Sequence, residues 1–160
     1  MQQSIEMTPI SESTVFEMIP YVGTNLVTFG MTLYQVKRVL GKSKIKSKDH
    51  QGRFEESWPG ISVGYSESNI VDHIGFSKYM KNIIFSGINL FELPSSVVLR
   101  ELMEIDTDPM EYLGMVIFLK LGFYLTGFED DDEDDDKAAA LFVRGRWDSC
   151  ILEMKKFKLP

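Results

Sequence analysis

Short apolar runs alternating with polar positions dominate this chain, and only two segments break into the three-to-four spacing of a helix. In the first, Leu33, Val36, Lys37 and Leu40 fall at helical spacing behind Thr32, whose hydroxyl suits an N-cap, and Gly41 ends the run. The second starts at Pro94, Ser95 and Ser96 and carries Val98, Leu99, Leu102 and Ile105 to about residue 106. Strands account for the rest. Residues 25–29 (NLVTF) form a short β-type run before the first helix. After a polar, lysine-rich loop, residues 53–58, 61–65 and 70–77 alternate around a Pro59, Gly60 turn and a polar turn at 66–69, which predicts three antiparallel strands. Residues 83–86 and 88–93 precede the second helix, and 115–120, 123–129, 139–144 and 150–154 follow it as further strands. Residues 1–20 are polar and mixed, with at most a helical turn at 14–19, and are expected as an arm on one domain spanning 21–160.

The second half follows the order of the first. Asn25 and Leu26 align with Asn89 and Leu90 before each helix, and, with one inserted residue allowed, Gly60, Val63, Gly64 and Tyr65 align with Gly122, Leu125, Gly127 and Phe128 after it. Two readings stay open: β-α-β-β-β pseudo-repeats at 21–80 and 81–157, or chance recurrence of Gly and aromatic residues in a β-rich chain. Both give an α+β fold, a largely antiparallel sheet with two helices on one face.

Charge changes the picture more than composition does. The 160 residues contain 17 basic and 24 acidic side chains, a formal charge of −7, yet eight of the acids are consecutive: Glu129, Asp130, Asp131, Asp132, Glu133, Asp134, Asp135 and Asp136. Without them 17 bases face 16 acids, so the body is almost neutral and the acidity is local. The run lies between two predicted strands and is expected at a hairpin tip. It has neither an internal Gly nor the alternating carboxylates of a calcium loop, so no metal is expected. Its row of carboxylates would attract a basic protein from about 8 Å away at physiological salt, raising association rate more than affinity. Residues 139–147 follow, and Phe142, Arg144, Arg146 and Trp147 are the candidate contact residues, since Arg and Trp are favoured at interface hot spots. The competing readings are a solvated loop, a packing role for Trp147, and edge protection or pairing with the acidic run for the arginines.

Other classes lack their signatures. The one basic cluster is Lys42, Lys44, Lys46 and Lys48, which argues against nucleic acid, and the longest apolar stretch, 114–128, is interrupted by Lys120 and too short to span a bilayer. A single cysteine, Cys150, and an N-terminus without a basic or apolar leader region fit a reducing, cytosolic setting. No phosphate loop, G-x-S-x-G elbow, H-E-x-x-H or C-x-x-C is present, and no cofactor is expected. An enzyme would have to use Cys150 or His73, with Asp148 as the orienting acid. His50 has no motif around it. Glu55 and Glu56 are strand neighbours that point to opposite faces and cannot flank one bond. A third class is an oligomeric adaptor that pairs an exposed sheet face with its own copy.

Gly30, Met31, Thr32 and Leu33 at the first helix start, Val36 to Leu40 and Gly41 at its end, and the strands from Glu55, Glu56 and Trp58 to Tyr65 carry a resemblance. The segment from about 25 to 77 resembles small bacterial immunity proteins of polymorphic or contact-delivered toxin systems. The same helix-capping phrase occurs in outer-membrane lipoprotein assembly domains, whose lipobox cysteine has no counterpart near this N-terminus. The resemblance implies a non-enzymatic cytosolic protein that binds a cognate toxin tightly and blocks its active site or its own partner site. It transfers no site residue.

Overall fold

A computed structural model describes residues 9–49, 51–129 and 136–159. The chain is α+β and mostly antiparallel. Its first half runs β1 (Val15–Ile19), β2 (Gly23–Thr24), α1 (Leu33–Leu40), then a meander of β3 (Ile45–Lys48), β4 (Phe54–Trp58), β5 (Ile61–Tyr65) and β6 (Val71–Ser77). The second half runs β7 (Asn82–Phe85), β8 (Ile88–Asn89), α2 (Ser95–Ile105), then a meander of β9 (Met110–Tyr112), β10 (Met115–Phe118), β11 (Phe123–Thr126) and β12 (Ala138–Phe142). A 3₁₀ helix (Asp148–Glu153) and β13 (Lys155–Lys156) close the described chain.

The two meanders join where β6 and β12 pair antiparallel, giving a nine-stranded sheet in the order β13-β9-β10-β11-β12-β6-β5-β4-β3. The hairpin strands form a second sheet, β2-β1-β7-β8, in which β1 and β7 run parallel. The halves therefore share one element order. Gly60 and Gly122 both take φ of 76° in the turns that open β5 and β11, a conformation that glycine adopts without crowding a Cβ. Asn25 accepts from the Glu17 N–H in β1, and Asn89 donates to the carbonyl of Lys81 just before β7, so each asparagine reaches back eight residues.

Both helices form as their sequence dictates. Thr32 and Gln35 make a reciprocal capping box, with Thr32 Oγ1 accepting from the Gln35 N–H and Gln35 Oε1 accepting from the Thr32 N–H. Trp58 Nε1 donates to the Gly41 carbonyl and ties the helix end to β4. Val36, Leu40, Val98, Leu99 and Leu102 are buried in one core cluster with Ile61, Val63, Tyr65, Phe123 and Leu125. Alternation along β5 and β11 places those last five on a single face of the large sheet, so both helices cover that face. The small sheet covers it too, through the ring pairs Phe16 with Phe76 and Phe85 with Phe123.

Several expected elements differ. Residues 14–19 contain β1 rather than a helical turn, and part of the expected arm is core: Phe16 and Met18 point inward from β1. Residues 25–29 are not a strand, because Thr24 Oγ1 accepts the N–H groups of Leu26 and Val27 and turns the chain. The lysine-rich loop contains β3, and a further strand, β9, makes each meander four-stranded. Residues 150–154 belong to the 3₁₀ helix and the start of the turn to β13, not to a strand. Lysines stand on both outer strands, Lys46 and Lys48 on β3 and Lys155 and Lys156 on β13, where their charge discourages edge-to-edge pairing.

Candidate binding face of the large sheet

The other face of the large sheet is half covered and half open. Side chains opposite one another across paired strands share a face, and one row runs Ser57, Ser62, Gly75, Ala140, Tyr124, Ile117, Met110 from β4 to β9. Large residues at the β9–β11 side form a second core, in which Ile117, Phe142 and Met154 pack with Tyr124, Trp147 and Cys150. The 3₁₀ helix supplies that cover. From β4 to β12 the row has only hydroxyls, a glycine and an alanine. The result is a depression of about 370 Å³ floored by Ser62, Gly75 and Ala140, with His73 and Tyr124 at one end and Ser77, Thr126 and Ala138 at the other.

A bulge lies next to His73. Gly64 pairs with His73 and Tyr65 with Val71, so Asp72 is the extra residue on β6. Bulges re-aim side chains, and here Asp72 joins His73 on the open face, where its carboxylate accepts from Arg53 Nη2 at 2.6 Å. Burial raises the Asp72 pKa, and Arg53 and Arg146 oppose that rise. Burial, reinforced by Arg146 and Arg53, lowers His73 to about 4, so its imidazole is neutral near pH 7, and Nε2 lies 3.2 Å from the Tyr124 hydroxyl. Tyr124 is itself pushed up by burial and stacks on Phe142.

The His73 shift has a measurable consequence. An unfolded histidine titrates near 6.5 and the folded one near 4, so between these values the unfolded chain binds more protons and stability falls as pH is lowered. That gap corresponds to roughly 3 kcal/mol. Asp72 works the other way, because a raised carboxyl pKa contributes stability that is lost as pH rises through it. Urea unfolding of the wild type and His73→Gln at pH 7 and pH 4.5 should therefore show a larger loss on acidification in the wild type. Parallel losses would contradict a neutral buried imidazole.

The expected contact residues divide between the two ends of β12. The acidic run lies in the connection from β11 to β12, where Thr126 opposes Ala138; Glu129 and Asp136 are exposed, and residues 130–135 lie outside the described ones. Phe142, Arg144, Arg146 and Trp147 lie at or beyond the opposite end of β12, a five-residue strand spanning about 16 Å. They do not share one hairpin tip with the acids. Phe142 is only 1% exposed, and Trp147 stands edge-on to Tyr112, Tyr124 and Phe142. Both are packing residues. Arg144 is exposed and lays its guanidinium over the Tyr21 ring at 4.1 Å, while Arg146 is half-buried and borders a cavity with Asp72. Cys150 Sγ meets Ser149 Oγ, whereas His73 Nε2 meets the Tyr124 hydroxyl.

Sequence reasoning passed over Ser62, Gly75 and Ala140, the floor itself, and Ala138 at its end. Two signals point there: a glycine inside an apolar strand, and three alanines in a row in a strand where β-branched residues would be expected. Among the described residues no group of three or more His, Cys, Asp or Glu side chains is placed to hold a metal ion, and no helix is long and apolar enough to cross a membrane. Comparison with protein-family models, with curated proteins and with solved structures returns no match.

Proposed function

We propose that this protein is a non-enzymatic binding module that captures a basic protein partner on the open half of its large sheet, and that it acts as an immunity protein against a bacterial toxin. The observation that carries the reading is the position of the depression. Its lining includes Thr126 and Ala138, the paired strand ends from which the acidic connection departs, so a chain drawn in by the carboxylates arrives beside a floor of small side chains. Attraction and shape then act at one end of the sheet, with the charge raising encounter rate and the depression supplying burial. The near-neutral body makes that field directional. The resemblance of residues 25–77 to toxin immunity proteins supports the cytosolic, toxin-neutralising form of the reading.

The test replaces the eight acids of 129–136 with Ser and Gly and follows association with the product of the adjacent gene as salt is varied. The association rate at low salt should fall at least about tenfold, and its salt dependence should flatten. An unchanged rate with an unchanged salt slope would remove the acidic run from the mechanism.

A further inference from the structure

Two leucines at the acidic end of the large sheet belong to neither core cluster, and one of them is held against its backbone preference. Leu113 forms the tip of the β9–β10 hairpin at φ of 50°, with Gly114 at φ of 82°, and is 80% exposed. Such a two-residue turn is filled most easily by Asn-Gly, because a branched apolar side chain at positive φ crowds its own backbone and gains no local hydrogen bond. Leu152, in the 3₁₀ helix, is fully exposed at 100%. Their sequence neighbours put both at the same corner of the sheet: the Tyr112 hydroxyl donates to Glu153 at 3.0 Å, and β13 runs back along β9 with Lys155 opposite Glu111. Met115 opposes Thr126, so this corner also adjoins the start of the acidic connection.

We infer that Leu113 and Leu152 are the apolar anchor of the partner site, and that its occupant is a cationic protein segment carrying an aliphatic or aromatic side chain among its lysines or arginines. This rests on the binding reading above and supplies what charge alone does not. Exposed carboxylates steer encounter but are screened and add little lasting affinity, whereas affinity concentrates in a few desolvated contacts. Glu111 on β9, Glu153 beside Leu152, and Glu129 and Asp136 at the ends of the acidic connection are exposed and complementary to such a segment; Lys155 and Lys156 are the cations on neighbouring β13.

Two peptides of equal length and charge test this, one alternating lysine with serine and the other lysine with leucine, each titrated into isotope-labelled full-length protein. The Lys-Leu peptide should bind about tenfold more tightly, with the largest shifts at amides 112–114 and 151–153. Leu113→Asn combined with Leu152→Ser should bring it down to the Lys-Ser affinity and leave the Lys-Ser affinity and its salt dependence unchanged. Asparagine suits the turn, so the thermal midpoint of this variant should equal or exceed that of the wild type. Equal binding of the two peptides, or no loss in the variant, with salt-dependent binding intact, would overturn the leucine anchor while sparing the basic-partner reading. Absence of salt-dependent binding by both would overturn the two together. A wild-type dimer that the Leu152→Ser change alone dissociates would assign the leucines to self-association instead and overturn the inference.

Discussion

Phe16→Ala should cost about 3–5 kcal/mol of stability, the range for removing a large aromatic side chain from a packed core. The residue is 1% exposed, and its ring lies 5.0 Å from that of Phe76, centroid to centroid. Phe76 belongs to β6, at the centre of the large sheet, whereas Phe16 belongs to β1, so the pair is one of two ring contacts that hold the small sheet against the large one. For a chain of this length the change corresponds to a fall in thermal midpoint of roughly 10 °C. Thermal unfolding followed by far-UV circular dichroism measures it. The outcome discriminates between two views of the N-terminal segment: an arm that contributes nothing would leave the midpoint within a degree or two. A midpoint unaffected by Phe16→Ala would mean that β1 is not part of the cooperative core.

How Phe16 escaped notice explains what can be read from a chain of this kind. The segment VFEMI does alternate, with Phe16 and Met18 on one side, but it is short and polar residues surround it. Its partner β7 starts at Asn82, so no local signal announces the pairing. The helices were legible because caps and periodicity are local: Thr32, Gln35, Gly41 and the Pro94, Ser95 start all act within one turn. Strands facing the main core were legible for the same reason. β3 was not, since an outer strand needs lysines against pairing more than it needs apolar alternation, and KSKIKSK therefore reads as a loop.

The candidate site was legible only in its charge. The acidic run announces itself, and its place between two strands follows from the apolar runs on either side. The depression beside it is made of Ser62, Gly75 and Ala140, residues with no chemical signature, on three strands whose register is a tertiary fact. Asp72 reaches the open face only because of a bulge that no sequence pattern marks. Trp147 and Phe142 were the converse case. Aromatic and exposed-looking beside two arginines, they suggested contact, but the 3₁₀ helix folds back across the sheet and makes them the centre of a second core.

Gly75→Leu should abolish most of the partner's affinity while leaving the fold intact. A Cβ at this position would lie 2.6 Å from Ser62 Oγ, a hydroxyl that can rotate away, and 3.7 Å from the nearest atom of His73. The closest backbone atom, the Ala139 carbonyl oxygen, is 4.0 Å away, so no main chain has to move. Glycine inside a strand also carries a backbone entropy penalty of about 0.5–1 kcal/mol that any other residue relieves. Relief and local repacking act in opposite directions, and the net stability change is expected within about 1 kcal/mol. The leucine side chain, however, occupies the depression between Tyr124 and Ser77. A partner group that would bury itself there is excluded, and loss of one central pocket contact of about 2–3 kcal/mol weakens binding roughly 100-fold. Because no charge is altered, the association rate and its salt slope should stay at wild-type values and the loss should appear in dissociation. That pattern is the reverse of the one expected from replacing the acids, which slows arrival without reshaping the floor. Wild-type dissociation from Gly75→Leu, with the fold confirmed by its thermal midpoint, would place the partner elsewhere on the molecule.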